Sequence, residues 1–159
     1  RDLNNKTLMQ RVFVSIGSNI KPKKNLEIVK NHLNHLFQCK YSSIYETSSE
    51  GFKGENFLNL VVSFKTEIKP MKLRGILKSI ENKMGRTESQ KGMSNRTIDL
   101  DIILYGDSVI YEDKVEIPSS DIEKYLFVLE PLTEIAGDLI HPILKISFKE
   151  LLEERRNST

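Results

Sequence analysis

The chain has 159 residues, 38% hydrophobic and 29% charged, the balance of one globular domain able to bury a core without disulfides. Its 24 Lys and Arg against 22 Asp and Glu leave a net charge of +2, too little to argue by itself for a nucleic-acid or membrane partner. One cysteine, Cys39, excludes an internal disulfide, and no apolar run approaches the ~20 residues that cross a bilayer.

Residues 1–10 are polar, lack the apolar core of a signal peptide, and are expected to form a flexible N-terminal extension. The folded domain is expected over 11–155, with 156–159 as a flexible tail, and a cytoplasmic location suits the lone cysteine. Val12, Val14 and Ile16 alternate with Phe13 and Ser15 as in a strand, which Gly17-Ser18-Asn19 breaks. Pro22 opens a helix with Leu26, Val29, Leu33 and Leu36 at three- and four-residue spacing. A second strand is expected at about 40–46, with Cys39 as a buried, inert thiol at its start, and a loop at 48–56.

A third strand spans Phe57–Thr66, with Leu58, Leu60, Val62 and Phe64 on one face. Pro70 opens a second helix carrying Leu73, Ile76, Leu77 and Ile80, and Gly85 caps it. A polar loop, 86–95, leads to a strand at Thr97–Tyr105. A hairpin around 108–117 turns near Glu112-Asp113, and a helix at 147–154 begins with Ser147 and Glu150 at capping-box spacing. The order β-α-β-β-α-β predicts an α/β (α+β) fold: a ferredoxin-like core with an added hairpin and C-terminal helices.

The strand near residue 100 carries the chemistry. Ile98, Leu100, Ile102 and Leu104 are expected on its core side, which sends Asp99 and Asp101 together to the other. Aspartate is depleted in strands, and two adjacent like charges call for a cation between them. Mg²⁺ suits a site of one or two carboxylates completed by phosphate and water oxygens; an edge strand protected by charge is the plainer alternative. Arg96 just before the strand, with Arg86 and Lys91 in the preceding loop, favours phosphoryl transfer, which needs cations to absorb developing negative charge. Opposite the apolar row of the third strand lie Phe57 and Asn59. An aromatic face beside an amide that both donates and accepts suits a flat heterocycle, although Asn59 alone also reads as a satisfied sheet residue.

Elsewhere the signals are weak. His32 and His35 lie on the first helix without a third ligand, His141 before Pro142 reads as structural, and Gly17-Ser18-Asn19 lacks the lysine and glycine spacing of a phosphate loop.

Taken as an ordered set, several segments resemble the 6-hydroxymethyl-7,8-dihydropterin pyrophosphokinase family of folate biosynthesis. They are Val14-Ser15-Ile16-Gly17-Ser18-Asn19, Ser42-Ser43-Ile44-Tyr45-Glu46-Thr47, Asn56-Phe57-Leu58-Asn59, Ile80-Glu81 through Gly85-Arg86, Arg96-Thr97-Ile98-Asp99-Leu100-Asp101-Ile102, Phe127-Val128-Leu129-Glu130-Pro131-Leu132 and Ile140-His141-Pro142. The likeness covers about residues 11–154. It implies transfer of the pyrophosphoryl unit of ATP to the hydroxymethyl group of the reduced pterin, releasing AMP. It implies two Mg²⁺ ions on Asp99 and Asp101, with Arg96 and Arg86 stabilising the transferring group. It places the pterin between Phe57 and Phe127, read by Asn59 and the backbone near Thr47, and nucleotide contacts at Lys78, Glu81, Ile102 and Lys114.

The chain departs from the family pattern at several positions. Ser119-Ser120 replaces a His and its neighbour, Tyr125 an Arg, Glu88 a basic residue, Met93 a Trp, and Ser48-Ser49 a proline pair. The resemblance therefore implies an altered grip on ATP, for which Lys91 and Lys124 are candidate substitutes. Small-molecule substrates are expected, without nucleic acid or membrane, and a place within a longer folate-pathway protein stays open. The competing readings are another two-metal nucleotidyl transferase and a degenerate pterin-binding module. An RNA-binding sheet fits poorly, because the exposed face is expected to set Phe57 beside acids.

Overall fold

The computed structural model describes residues 9–49, 54–85 and 96–158. Strand β1 (Gln10–Ser18) lies between two antiparallel neighbours, β4 (Phe57–Thr66) and β5 (Asp99–Tyr105). Two short strands, β2 (Lys40–Tyr41) and β3 (Tyr45–Thr47), both pair with β4. The sheet order β2-β4-β1-β5, with helix α1 (Pro22–Leu36) after β1 and α2 (Pro70–Lys83) after β4, is the expected ferredoxin-like plan. The hairpin is β6 (Ile110–Glu112) and β7 (Val115–Ile117), joined through Asp113 and Lys114, with Asp113 at φ 53°. Three helices follow: α3 (Asp121–Lys124), α4 (Leu126–Ala136) and α5 (Phe148–Asn157).

Two apolar cores sandwich the sheet, giving three layers. On one face Leu26, Val29 and Leu33 of α1 and Leu73, Leu77 and Ile80 of α2 bury against Val14, Ile16, Leu60, Val62 and Leu100. Each fully buried leucine contributes about 2–3 kcal/mol from transfer alone. On the other face Val128, Leu129 and Leu132 of α4, with Phe148, Leu151 and Leu152 of α5, cover Phe13, Val61, Ile103 and Leu104. The face of β4 opposite its apolar row is therefore not an open surface: Val61 and Ser63 are buried at its centre, while Phe57 and Gly17 at one end stay partly exposed.

The structure corrects several boundaries. β1 begins at Gln10 and continues through Ser18, because Gly17 and Ser18 keep pairing with Asn59 and Leu58. The expected strand at 40–46 is two pieces, interrupted where Ser42 Oγ, instead of a backbone carbonyl, accepts the Val61 N–H at 2.9 Å. Leu36 ends α1 at 52% exposed and leaves the apolar stripe. In β5 the register against β1 jumps from Val14–Ile102 to Phe13–Leu104. The extra residue, Ile103, makes a bulge, so Leu104 packs in the second core and not in the row of Ile98, Leu100 and Ile102.

The C-terminal helix runs to Asn157, and Arg156, expected in a flexible tail, meets Glu130 of α4 at 2.8 Å. Ser147 caps that helix as its spacing predicts, accepting the Glu150 N–H at 3.1 Å. Gly85, at φ 91°, follows α2 in the conformation of a glycine C-terminal cap. Cys39 is half-buried, and burial pushes its thiol up. His141 is structural: buried, with Nδ1 accepting the N–H groups of Ile143 and Leu144 at 3.1 Å each. Among the described residues no helix is long and apolar enough to cross a membrane.

Candidate active site

One end of the sheet brings Thr47, Phe57, Asn59, Asp99 and Asp101 onto one face. Register sets Asn59 of β4 opposite Gly17 of β1, and Gly17 opposite Asp99 of β5. One step along lies the parallel row Val61, Ser15 and Asp101. Residues directly across antiparallel strands share a face, so the amide and both carboxylates border one surface with a glycine between them. Gly17 is what keeps that surface low: a Cβ there would stand 3.3 Å from Asn59 Oδ1 and 4.0 Å from Phe57 Cδ1.

The Asn59 amide is held by its neighbours. Its Nδ2 donates to Thr47 Oγ1 at 3.0 Å and to the Tyr45 carbonyl at 3.2 Å, and the residue is 5% exposed. Thr47 itself pairs with Phe57 across β3 and β4. With both amide hydrogens committed, Oδ1 is fixed as the acceptor beside Gly17. Phe127, near the start of α4, packs against the core on this side of the sheet, and its ring stacks on Tyr125 at 4.8 Å between centroids.

The carboxylates sit differently. Asp99 and Asp101 are roughly 7 Å apart along β5, both half-buried. Burial first, then the adjacent Asp99, pushes the Asp101 carboxyl up to about 7, against a partial opposing pull from Lys78. Glu81 of α2 lies between the two acids from behind: its Oε2 accepts the Leu100 N–H at 2.6 Å and its Oε1 meets Lys78 Nζ at 3.3 Å. That bond caps an outward-facing amide of the edge strand, so the buried Glu81 fastens the strand. Asp101 opens into a cleft of about 230 Å³ that also takes Lys78, Ile102 and Lys114, three of the predicted nucleotide contacts.

The structure also supplies residues that the sequence did not flag. Arg74 and Asp121 line the same cleft, beside Ser119, one of the positions that depart from the family pattern. Asp121 is a third acid on this side, its carboxyl raised by burial and, more weakly, by Asp99 and Glu116 while Lys124 pulls it down. Ser18 and Asn19, read as a strand break, are buried and hold the segment before β5. Ser18 Oγ donates to the Thr97 carbonyl at 2.5 Å, and Asn19 Oδ1 accepts the Arg96 N–H at 2.6 Å. In the sequence these two polar residues after an apolar strand read only as its end. Arg86, with Glu88, Lys91 and Met93, lies outside the described residues.

A larger hollow, about 810 Å³, opens beside Lys21, Lys23, Lys24 and Glu46, and none of the predicted site residues line it. Among the described residues no three His, Cys, Asp or Glu side chains converge as a complete metal site. Two carboxylates on one strand face are instead a partial oxygen shell, suited to a hard divalent cation that takes its remaining ligands from phosphate and water.

Comparison with known proteins identifies the family. Residues 13–137 match the family described as 7,8-dihydro-6-hydroxymethylpterin-pyrophosphokinase (HPPK). The 2-amino-4-hydroxy-6-hydroxymethyldihydropteridine pyrophosphokinase of Aquifex aeolicus is 36% identical over 149 residues, covering 92% of each chain. Its counterpart in Haemophilus influenzae is 34% identical, over 84% of this chain and 86% of its own. The folic acid synthesis protein fol1 of Pneumocystis carinii is 33% identical over 91% of this chain, which spans only 20% of that protein. In fold, the chain superposes on a crystal structure of Plasmodium falciparum HPPK-DHPS with a TM-score of 0.75 at 14% identity. That match covers 92% of this chain and 42% of the other. Matching most of its length in sequence and carrying the ferredoxin-like fold, the chain belongs to the 7,8-dihydro-6-hydroxymethylpterin-pyrophosphokinase family.

Proposed function

We propose that the chain transfers the β,γ-diphosphoryl unit of ATP to the hydroxymethyl oxygen of 6-hydroxymethyl-7,8-dihydropterin, giving AMP and the pterin diphosphate, as a step of folate biosynthesis. The observation that carries this reading is the row Asn59–Gly17–Asp99 across three strands, which borders a flat, amide-edged surface with an acid pair. In the reaction the hydroxymethyl oxygen bonds to the β-phosphorus, the β-phosphorus bond to the α,β-bridging oxygen breaks, and the hydroxyl proton is released.

The pterin ring lies over Gly17 between Phe57 and Phe127, with Asn59 Oδ1 accepting from its amide-like edge and Thr47 holding Asn59. Asp99 and Asp101 are the residues that would hold Mg²⁺, two ions in this reading. When bound, the metal neutralises phosphate charge and draws the β-phosphorus toward attack. Arg96, steadied through its backbone by Asn19, and Arg86 absorb charge on the transferring group. Lys78, Ile102 and Lys114 receive the nucleotide in their shared cleft, with Glu81 holding Lys78. With acceptor and donor placed side by side, most of the acceleration is positioning plus electrostatics.

The direct test incubates the protein with Mg²⁺, ATP and the hydroxymethyl-dihydropterin and separates the products. AMP and pterin diphosphate in equal amounts support the reading. ADP, pyrophosphate, or no product from folded protein contradicts it; pyrophosphate release would indicate a nucleotidyl transferase.

A cytoplasmic setting and a place in a longer folate-pathway protein belong to the same proposal. The half-buried single thiol supports the first, and the much longer fol1 relative supports the second.

A further inference from the structure

Glu134 stands on α4 and has no role in the reading above, yet its carboxylate gathers three donors, the Ser43 N–H, the Ser43 hydroxyl and the Tyr45 hydroxyl. Its Oε1 accepts the Ser43 N–H at 3.0 Å and the Tyr45 hydroxyl at 2.9 Å. Its Oε2 accepts the Ser43 hydroxyl at 2.9 Å and shares the Ser43 N–H at 3.1 Å. Those donors hold its carboxyl below the usual range despite some burial, while burial and then Glu134 push the Tyr45 hydroxyl up to about 12. An exposed carboxylate rarely collects so many donors, since water serves it as well. The bonds instead fix where two elements meet.

Those elements are the two sides of the pterin slot. Glu134 follows Phe127 by seven residues, two helical turns, so both project from the same side of α4. Ser43 and Tyr45 belong to the kinked run that enters β3, where Tyr45 pairs with Asn59 and Thr47 with Phe57. The Tyr45 carbonyl and Thr47 Oγ1 are the two acceptors that orient the Asn59 amide. Helix α4 carries one wall, β3 aims the reading group of the other, and Glu134 spans the gap between them.

We infer that Glu134 is a positioning residue that sets the width and polar register of the pterin slot through Ser43 and Tyr45. It acts on the acceptor alone, because its hydrogen bonds go to Ser43 and Tyr45 and, among the described residues, to none of those lining the nucleotide cleft on α2, β5, the hairpin and the start of α3. The inference rests on the assignment of the slot to pterin, and the experiment separates the two.

Equilibrium titrations with Mg²⁺, a nonhydrolysable ATP analogue and the hydroxymethyl-dihydropterin would compare Glu134→Ala, Glu134→Gln, Tyr45→Phe and Asn59→Ala, with thermal melts confirming folding. Glu134→Ala should weaken pterin binding at least fivefold and leave the ATP analogue within twofold. Glu134→Gln should recover part of the loss, since its amide oxygen still accepts from Ser43 or Tyr45. Tyr45→Phe should add little to Glu134→Ala, as expected for partners in one unit. Pterin affinity within twofold of wild type in Glu134→Ala, or an equal loss for both ligands, overturns the inference. If Glu134→Ala does not fold, the same two criteria apply to Glu134→Gln, for which a loss of at least twofold is expected. Should Asn59→Ala weaken pterin while Glu134→Ala does not, only the clamp fails. Should Asn59→Ala leave pterin binding intact, the slot assignment fails with it.

Discussion

The two ends of the candidate site meet their electrostatic needs in opposite ways. At the acceptor end the polar groups are satisfied within the protein: Asn59 on Thr47 and Tyr45, Tyr45 and Ser43 on Glu134, and Ser42 on the Val61 N–H. At the donor end Asp101 is pushed up to about 7 by burial and by its neighbour Asp99, and Asp121 is raised on the same side. A neutral heterocycle is best read by groups that are already fixed, because each ordered hydrogen bond then costs no reorganisation on binding. In the proposed reading a polyphosphate with its cations brings the charge that these raised carboxyls lack within the protein.

The contrast predicts that the ends respond differently to substitution. The largest effect belongs to the acids. Asp99→Asn or Asp101→Asn should lower turnover about a thousandfold or more, while circular dichroism and unfolding show an intact fold; retained activity would remove the metal role. Next comes Ser42→Ala, which strands the Val61 N–H in the core. Urea unfolding should show a loss of about 1–3 kcal/mol, with kcat nearly unchanged in the folded fraction. The smallest effect is expected from Gly17→Val. Its methyl groups would crowd Asn59 Oδ1 and Phe57, where even a Cβ is tight at 3.3 Å, and pterin affinity should fall about tenfold, or ~1.4 kcal/mol. An equal loss for the ATP analogue would erase the distinction between the ends.

Much of this was legible in the sequence because it is local. Alternation located β1, β4 and β5, helical spacing and Pro22 and Pro70 located α1 and α2, and Asp99 and Asp101 stood out as charges on a strand. What stayed hidden depends on contacts between distant segments. The bulge at Ile103 sits between isoleucine and leucine, so an apolar run of Ile102-Ile103-Leu104 gives no sign of where the register jumps. C-terminal helices were expected, but nothing in their composition said that α4 would cover Val61 and leave Gly17 partly exposed. Asn19 meeting Arg96, Glu81 meeting Leu100 and Glu134 meeting Ser43 each join residues from 19 to 91 positions apart. Such pairs have no periodicity to read.

The contrast between the ends has one direct measure, the stability of the donor end without its ligands. In the folded protein Asp101 holds its proton up to about pH 7, while an unfolded chain releases it near the ordinary value of 3.8. The folded state therefore binds the extra proton in that window, and stability falls as pH rises through it. The penalty is absent below about pH 4 and complete above about pH 7, on the order of a few kcal/mol. Asparagine carries no such charge. Urea unfolding of wild type and Asp101→Asn at pH 8, with and without Mg²⁺ and a nonhydrolysable ATP analogue, tests this. The variant should be the more stable without ligands and lose that advantage when they are present, since only wild type binds them well. A variant no more stable than wild type in their absence, or one whose advantage persists in their presence, would contradict the account.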